Sequence, residues 1–175
     1  MPFIKSLPEK SGPGAVFAKF PQIYGLWSQL SQELMNGPSP LSQGEREMIL
    51  AFAAGAAGCK FVYAAHSEVA YGWGIAREAL EGLMKNVDTA PVDAKLKPLM
   101  KYVHKLATAP STMTQADVDA VLAAGWEELA LHHAIAITAR AAFMQRVAEG
   151  YGFTPMTPEV AAAQMAYDQR SRDAH

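Results

Sequence analysis

A chain of 175 residues, half of them hydrophobic and 18% charged, has enough apolar material for one domain with a substantial core, and its composition excludes both disorder and a polyelectrolyte. A net charge of −2 and an isoelectric point near 6.2 leave no footprint for nucleic acid. The start, MPFIKSLPEK, carries no signal-peptide pattern, and residues 48–57 are too few and too glycine-punctuated to span a bilayer. Cys59 is the only cysteine, which rules out an internal disulfide and fits a reducing cytoplasm.

Strand patterning is nearly absent. Apolar residues recur at three- and four-residue spacing through alanine-rich segments, which predicts an all-α fold. The first helix is expected over residues 21–34, with Pro21 in its first turn and Gly37-Pro38 as its stop. Ser42 stands three residues before Glu45, a capping box with Leu41 as its staple, and opens a helix bearing Glu47, Ile49, Leu50 and Phe52. Gly55 and Gly58 weaken the end of that helix. A second takes over near Cys59 and runs to about Tyr71, where Gly72 and Gly74 break it. A short helix follows over residues 75–84, and residues 91–108 read as helical with Pro98 marking a kink or a restart. Thr114 and Asp117 cap another short helix ended by Gly125, and a long one covers residues 127–149. Thr157-Pro158-Glu159 opens a last helix with a polar, fraying tail. No linker separates a second domain, so residues 1–175 form a single domain. An echo at an offset of 80 residues hints at a duplicated helix hairpin. It pairs Glu47 with Glu127, Ala54 with Ala134, His66 with Arg146, and Tyr71-Gly72-Trp73 with Tyr151-Gly152-Phe153.

Three side chains carry the chemistry, each with a bland reading beside it. A cysteine opening a helix sits at the positive end of the helix dipole, which favours a thiolate. A lone intracellular cysteine is more often a small buried hydrophobe. His66 lies seven residues from Cys59 and four from Val62, so one helix stacks all three along a face. An imidazole placed so can assist a nucleophile or leaving group, or can simply satisfy a backbone carbonyl in an alanine-rich interface. Glu47 either joins that site or forms the solvated edge of its helix. Adjacent His132 and His133 point about 100° apart and have no partner at helical spacing, so no metal is expected. Tyr71 and Trp73 line a pocket or fill core, and the nine methionines read as core filler. No phosphate loop, Ser-His-Asp triad or dinucleotide fingerprint is present, and no cofactor is expected.

The order of Glu47, Cys59 twelve residues on and His66 seven beyond resembles the active-site signature of the alkylhydroperoxidase D-like (AhpD-like) proteins of the carboxymuconolactone decarboxylase family. There a glutamate is followed twelve residues later by C-x-x-C, with histidine four residues past the second cysteine. Val62 holds that second cysteine position. Residues 41–73 span the catalytic segment. Residues 112–153, a short helix, an Ala-Ala-Gly turn, a long helix, then an arginine and a closing glycine, resemble the second half of the peroxidase-related branch. The resemblance implies an all-helical fold assembled as a homotrimer or homohexamer, with pockets close to subunit contacts. It also implies a proton-relay role for Glu47 and the place of the resolving cysteine for Cys59. Glu45 is explained by its cap.

Three functions compete on this reading. One is a peroxidase-related oxidoreductase in which Cys59, aided by His66 and Glu47, acts as a single thiol with an external thiol reductant. Another is a cysteine-independent lyase or isomerase acting on a small carboxylated or lactone substrate, with His66 as general acid or base and Glu47 setting its tautomer. The last is a helical oligomer that binds without catalysing.

Overall fold

The computed structural model describes residues 2–9, 11–155 and 157. Among them the regular structure is entirely helical: α1 (Pro13–Lys19), α2 (Pro21–Asn36), α3 (Gln43–Ala56), α4 (Lys60–Gly72), α5 (Arg77–Lys85), α6 (Leu96–Thr108), a 3₁₀ turn (Pro110–Thr112), α7 (Gln115–Ala123) and α8 (Glu128–Tyr151). No helix among the described residues is long and apolar enough to cross a membrane. The expected last helix, opening at Thr157-Pro158-Glu159, lies outside the described residues but for Thr157 itself.

The core is organised around α3, which packs against α2, α4, α5, α6 and α8. Every residue from Arg46 to Ala54 is buried, because Met48, Ile49, Leu50, Phe52 and their alanines leave no polar face to turn to water. Its start is fixed by the expected capping box: the Glu45 amide donates to Ser42 Oγ (3.2 Å) and the Ser42 amide donates to Glu45 Oε2 (2.7 Å). Its end is fixed by Gly58, whose φ of +83° is open to glycine at no steric cost. The chain then reverses through Cys59 into α4, and the two helices lie side by side as the principal hairpin of the fold.

Two expectations need correction, and one helix was not foreseen. Pro98 neither kinks nor restarts a helix begun at residue 91: α6 starts at Leu96, so Pro98 falls in the first turn, where a missing N–H breaks no helical bond. The seven-residue α1 has no periodic signal long enough to be read. The duplicated hairpin is absent as well. At the offset of 80, residues 47–73 form two helices and a turn, whereas residues 128–151 are one unbroken helix. The position equivalent to Gly58 is Thr138, a buried residue whose hydroxyl donates to Ala134 O (2.7 Å) within α8. With no glycine there, nothing stops the helix.

On α2, Ile23, Leu26 and Leu30 are 63%, 82% and 64% exposed, while Trp27, one turn on from Ile23, stacks on Phe143 of α8 at 4.4 Å. Phe52 is fully enclosed at the centre of α3, so Phe52→Ala should destabilise the fold by about 3–5 kcal/mol. Denaturant unfolding followed by circular dichroism measures this, and a loss under about 1 kcal/mol would place Phe52 outside a tightly packed core.

Candidate functional site

The α3–α4 hairpin brings Glu47 and His66 together. Nδ1 of His66 lies 2.6 Å from Oε2 of Glu47, a distance suited to a charge-assisted hydrogen bond. The side chains are 21% and 11% exposed respectively, so the pair sits at the edge of the core with the imidazole on the outer side. With Glu47 ionised, Nδ1–H donates to the carboxylate, and in the neutral ring Nε2 is then the basic nitrogen. A base oriented by a buried carboxylate can take a proton at Nε2 and return it later, the imidazolium being stabilised by the carboxylate behind it.

The Glu47 charge is felt by two arginines. Arg46, beside it on α3 and only 5% exposed, donates from Nη1 to the carbonyls of Gly37 (2.8 Å) and Leu34 (3.3 Å). Burial lowers its guanidinium from the ordinary range, and the Glu47 charge opposes that shift. Arg140 of α8 donates from Nε to Ser31 Oγ of α2 (2.6 Å). It too is lowered by burial and pushed back up by Glu47. Glu47 thus makes a short hydrogen-bond contact with an imidazole and acts on two arginine cations.

Cys59 stands apart. It is the residue capping α4, fully buried, with its amide donating to Ala54 O (2.8 Å). Seven residues of helix put it about 10 Å below His66 along the axis, and the enclosed side chain of Val62 lies on the face between them. The expectation that the helix terminus favours a thiolate is not met. Burial pushes the thiol up, with a smaller push from the Glu149 charge, and the amides of Val62 and Phe61 only partly pull it down. Desolvation outweighs the dipole.

Other candidates divide plainly. His132 is exposed while His133 is half-buried. The His133 imidazole is lowered by burial and by the charges of Arg46 and His132. No group of three or more metal-ligating side chains occurs among the described residues. Tyr71 lies under the Arg77 guanidinium at 4.2 Å, and burial raises its hydroxyl to about 12. Trp73 is exposed. Reading the sequence missed Arg140 and the buried Glu68, which takes a bidentate pair from Arg77 at 2.8 and 2.9 Å. A lone arginine in the apolar run of residues 134–144 was a signal for the former. The latter joins two sides of a glycine turn and leaves no periodic trace.

Similarity to solved structures agrees with this architecture. A peroxidase-related protein from Ralstonia eutropha, described as an alkylhydroperoxidase AhpD core, matches 81% of this chain and 74% of its own at 22% identity with a TM-score of 0.73. This chain has the AhpD-like fold. A peroxidase-related protein from Silicibacter sp. matches 86% of this chain and 90% of its own at 21% identity and a TM-score of 0.70. A protein of unknown function from Agrobacterium tumefaciens matches 81% and 96% at 14% identity and 0.70. No family model matches the chain, and no curated protein is significantly similar to it.

The AhpD-like hairpin makes the sulfur chemistry checkable. The wild-type thiol should resist Ellman's reagent at about pH 8 and react at once on unfolding, because a raised thiol holds little thiolate there. Val62→Cys, three residues along the same helix, should lose both thiols when unfolded and refolded in a glutathione redox buffer, counted by mass spectrometry. Retention of two free thiols would show that positions 59 and 62 are not set for a disulfide.

Proposed function

We propose that this protein is an AhpD-like enzyme of small molecules that works by general acid–base catalysis at His66 and Glu47, without a thiol, as a lyase or isomerase of a small carboxylated or lactone substrate. The 2.6 Å contact between His66 Nδ1 and Glu47 Oε2 carries the reading. It orients an imidazole that is partly open to solvent, while the one thiol of the chain is enclosed and raised by burial. His66 would take a proton from the substrate at Nε2 and deliver it to the product-forming atom, and Glu47 would hold the ring and offset the imidazolium charge. No redox group is needed for such a step.

The test compares variants on a panel of small lactones and carboxylates, with peroxide plus a dithiol in parallel. His66→Gln should lower turnover by about 10²–10⁴-fold. Glu47→Gln should lower it too, whereas Cys59→Ala should leave it nearly unchanged. The converse result favours a second reading, which rests on the peroxidase-related names of the Ralstonia and Silicibacter proteins. In that reading the Cys59 thiol and a hydroperoxide give a sulfenic acid and an alcohol. Two external thiols then return the sulfenic acid to thiol, forming their own disulfide and water. Abolished peroxide turnover in Cys59→Ala alone would establish it.

The assembly belongs to the same proposal. The exposed stripe of Ile23, Leu26 and Leu30 is an apolar strip that a second copy of the chain can cover, giving a trimer or hexamer. The unpaired thiol is consistent with a reducing cytoplasm. Leu26→Glu should shift sedimentation toward the monomer while leaving the helical circular dichroism intact. An unchanged sedimentation coefficient would remove α2 from the interface.

A further inference from the structure

Where α3, α6 and α8 meet, they form a cavity of about 290 Å³, and no part of its wall comes from α2. The wall is mainly hydrocarbon, from Ala53 of α3, Leu106 and Ala107 of α6, and Ile135 and Ala142 of α8. Three polar side chains also line it, and two of them have a donor committed. The Thr138 hydroxyl donates to Ala134 O within α8 (2.7 Å), and Gln145 Nε2 donates to Ala57 O just past α3 (2.8 Å). Backbone amides take three more carbonyls at that helix end: Ala57 N meets Ala53 O, Cys59 N meets Ala54 O and Gly58 N meets Gly55 O. Arg146 is the third polar residue, and it is exposed. Its Nη1 donates to Ala142 O (2.8 Å), which holds the guanidinium back over the turn that supplies the wall. A guanidinium carries five N–H donors, and Arg146 enters no ion pair among the described residues. Its charge stands open to solvent at the side of an apolar cavity.

We propose that this cavity binds a short-chain organic acid, with its hydrocarbon against Leu106, Ala107 and Ile135 and its carboxylate on Arg146. The charged donors left free in the wall belong to Arg146, so the polar end of a ligand there is an acceptor, and the unbalanced charge selects an anion. An apolar wall with a few convergent polar groups is the usual composition of a small-molecule site. At about 30 Å³ per water-sized group, the volume holds on the order of ten such groups, enough for an acid of about six carbons. Because the guanidinium is exposed, its charge adds a few-fold to affinity rather than orders of magnitude. The site uses neither Glu47, His66 nor Cys59, and the proposal stands whether or not the acid–base reading of the hairpin holds.

NMR titration of the full chain with hexanoate, 1-hexanol and hexylamine tests the assignment. Hexanoate should bind about three- to fivefold more tightly than hexanol at low salt, with hexylamine weakest, and about 0.5 M sodium chloride should remove the preference. Arg146→Gln, at an exposed position, should leave the thermal melt unchanged and bring the acid down to the affinity of the alcohol. Ala107→Leu fills the cavity from α6 and should weaken both probes, with the melt of that variant checking its fold. Ala142→Leu, from the α8 wall, serves in its place if that fold is lost. Equal affinity of the wild type for acid and alcohol overturns the proposal, as does a preference for the acid that survives Arg146→Gln. Hexanoate binding undiminished in the folded cavity-filling variant, or no hexanoate binding at about 10 mM, overturns it as well.

Discussion

A helix with no face for water sets the terms for everything else in this fold. Because α3 is apolar on all sides, it is enclosed by its neighbours along residues 46–54, and the two charged residues at its start, Arg46 and Glu47, go in with it. A carboxylate taken out of water is tolerated only when paired and hydrogen-bonded. His66 is the group that meets this demand by direct contact, and it does so because Gly58 turns the chain back and sets α4 alongside α3. Removing the partner would leave an uncompensated buried charge. The hairpin and the pair are therefore one construction, in which an electrostatic requirement of the core is answered by an imidazole near the surface.

The same enclosure that organises the pair silences the thiol. Cys59 occupies the position at which a helix terminus lowers a thiol, and the amides of Phe61 and Val62 act in that sense. Position along the chain decides the dipole, but depth decides the desolvation, and at the base of the hairpin depth wins. A second cysteine at position 62 would sit equally deep, since Val62 is itself enclosed. The face of α4 thus runs from a dry sulfur at its start to a solvent-touching imidazole two turns later.

Local signals in the sequence reached the parts of this structure built from near neighbours. Ser42 and Glu45 cap α3 as their spacing requires, and Gly58 stops it through a backbone conformation that few other residues adopt. Glu47 and His66 could be matched because both belong to a single hairpin whose turn is fixed. What escaped was held by contacts across the fold. Arg140 reaches Ser31 over more than a hundred residues, and Glu68 meets Arg77 around a turn whose geometry no periodicity encodes. The misread duplication has the same root. Alanine-rich helices match one another at many offsets, and only the residue at the breaking position, glycine at 58 and threonine at 138, tells a hairpin from a straight helix.

The two arginines near Glu47 show why burial alone does not mark a group as available. Arg46 is the deeper of the two, yet its Nη1 is committed to the carbonyls that end α2, so its cation serves to close a helix terminus. Arg140 gives its Nε to a neutral hydroxyl, and its Nη1, like the Nε of Arg46, is buried without a hydrogen-bond partner. A neutral acceptor satisfies geometry without balancing charge, and the Glu47 charge, though in contact with His66, still favours the charged guanidinium of Arg140.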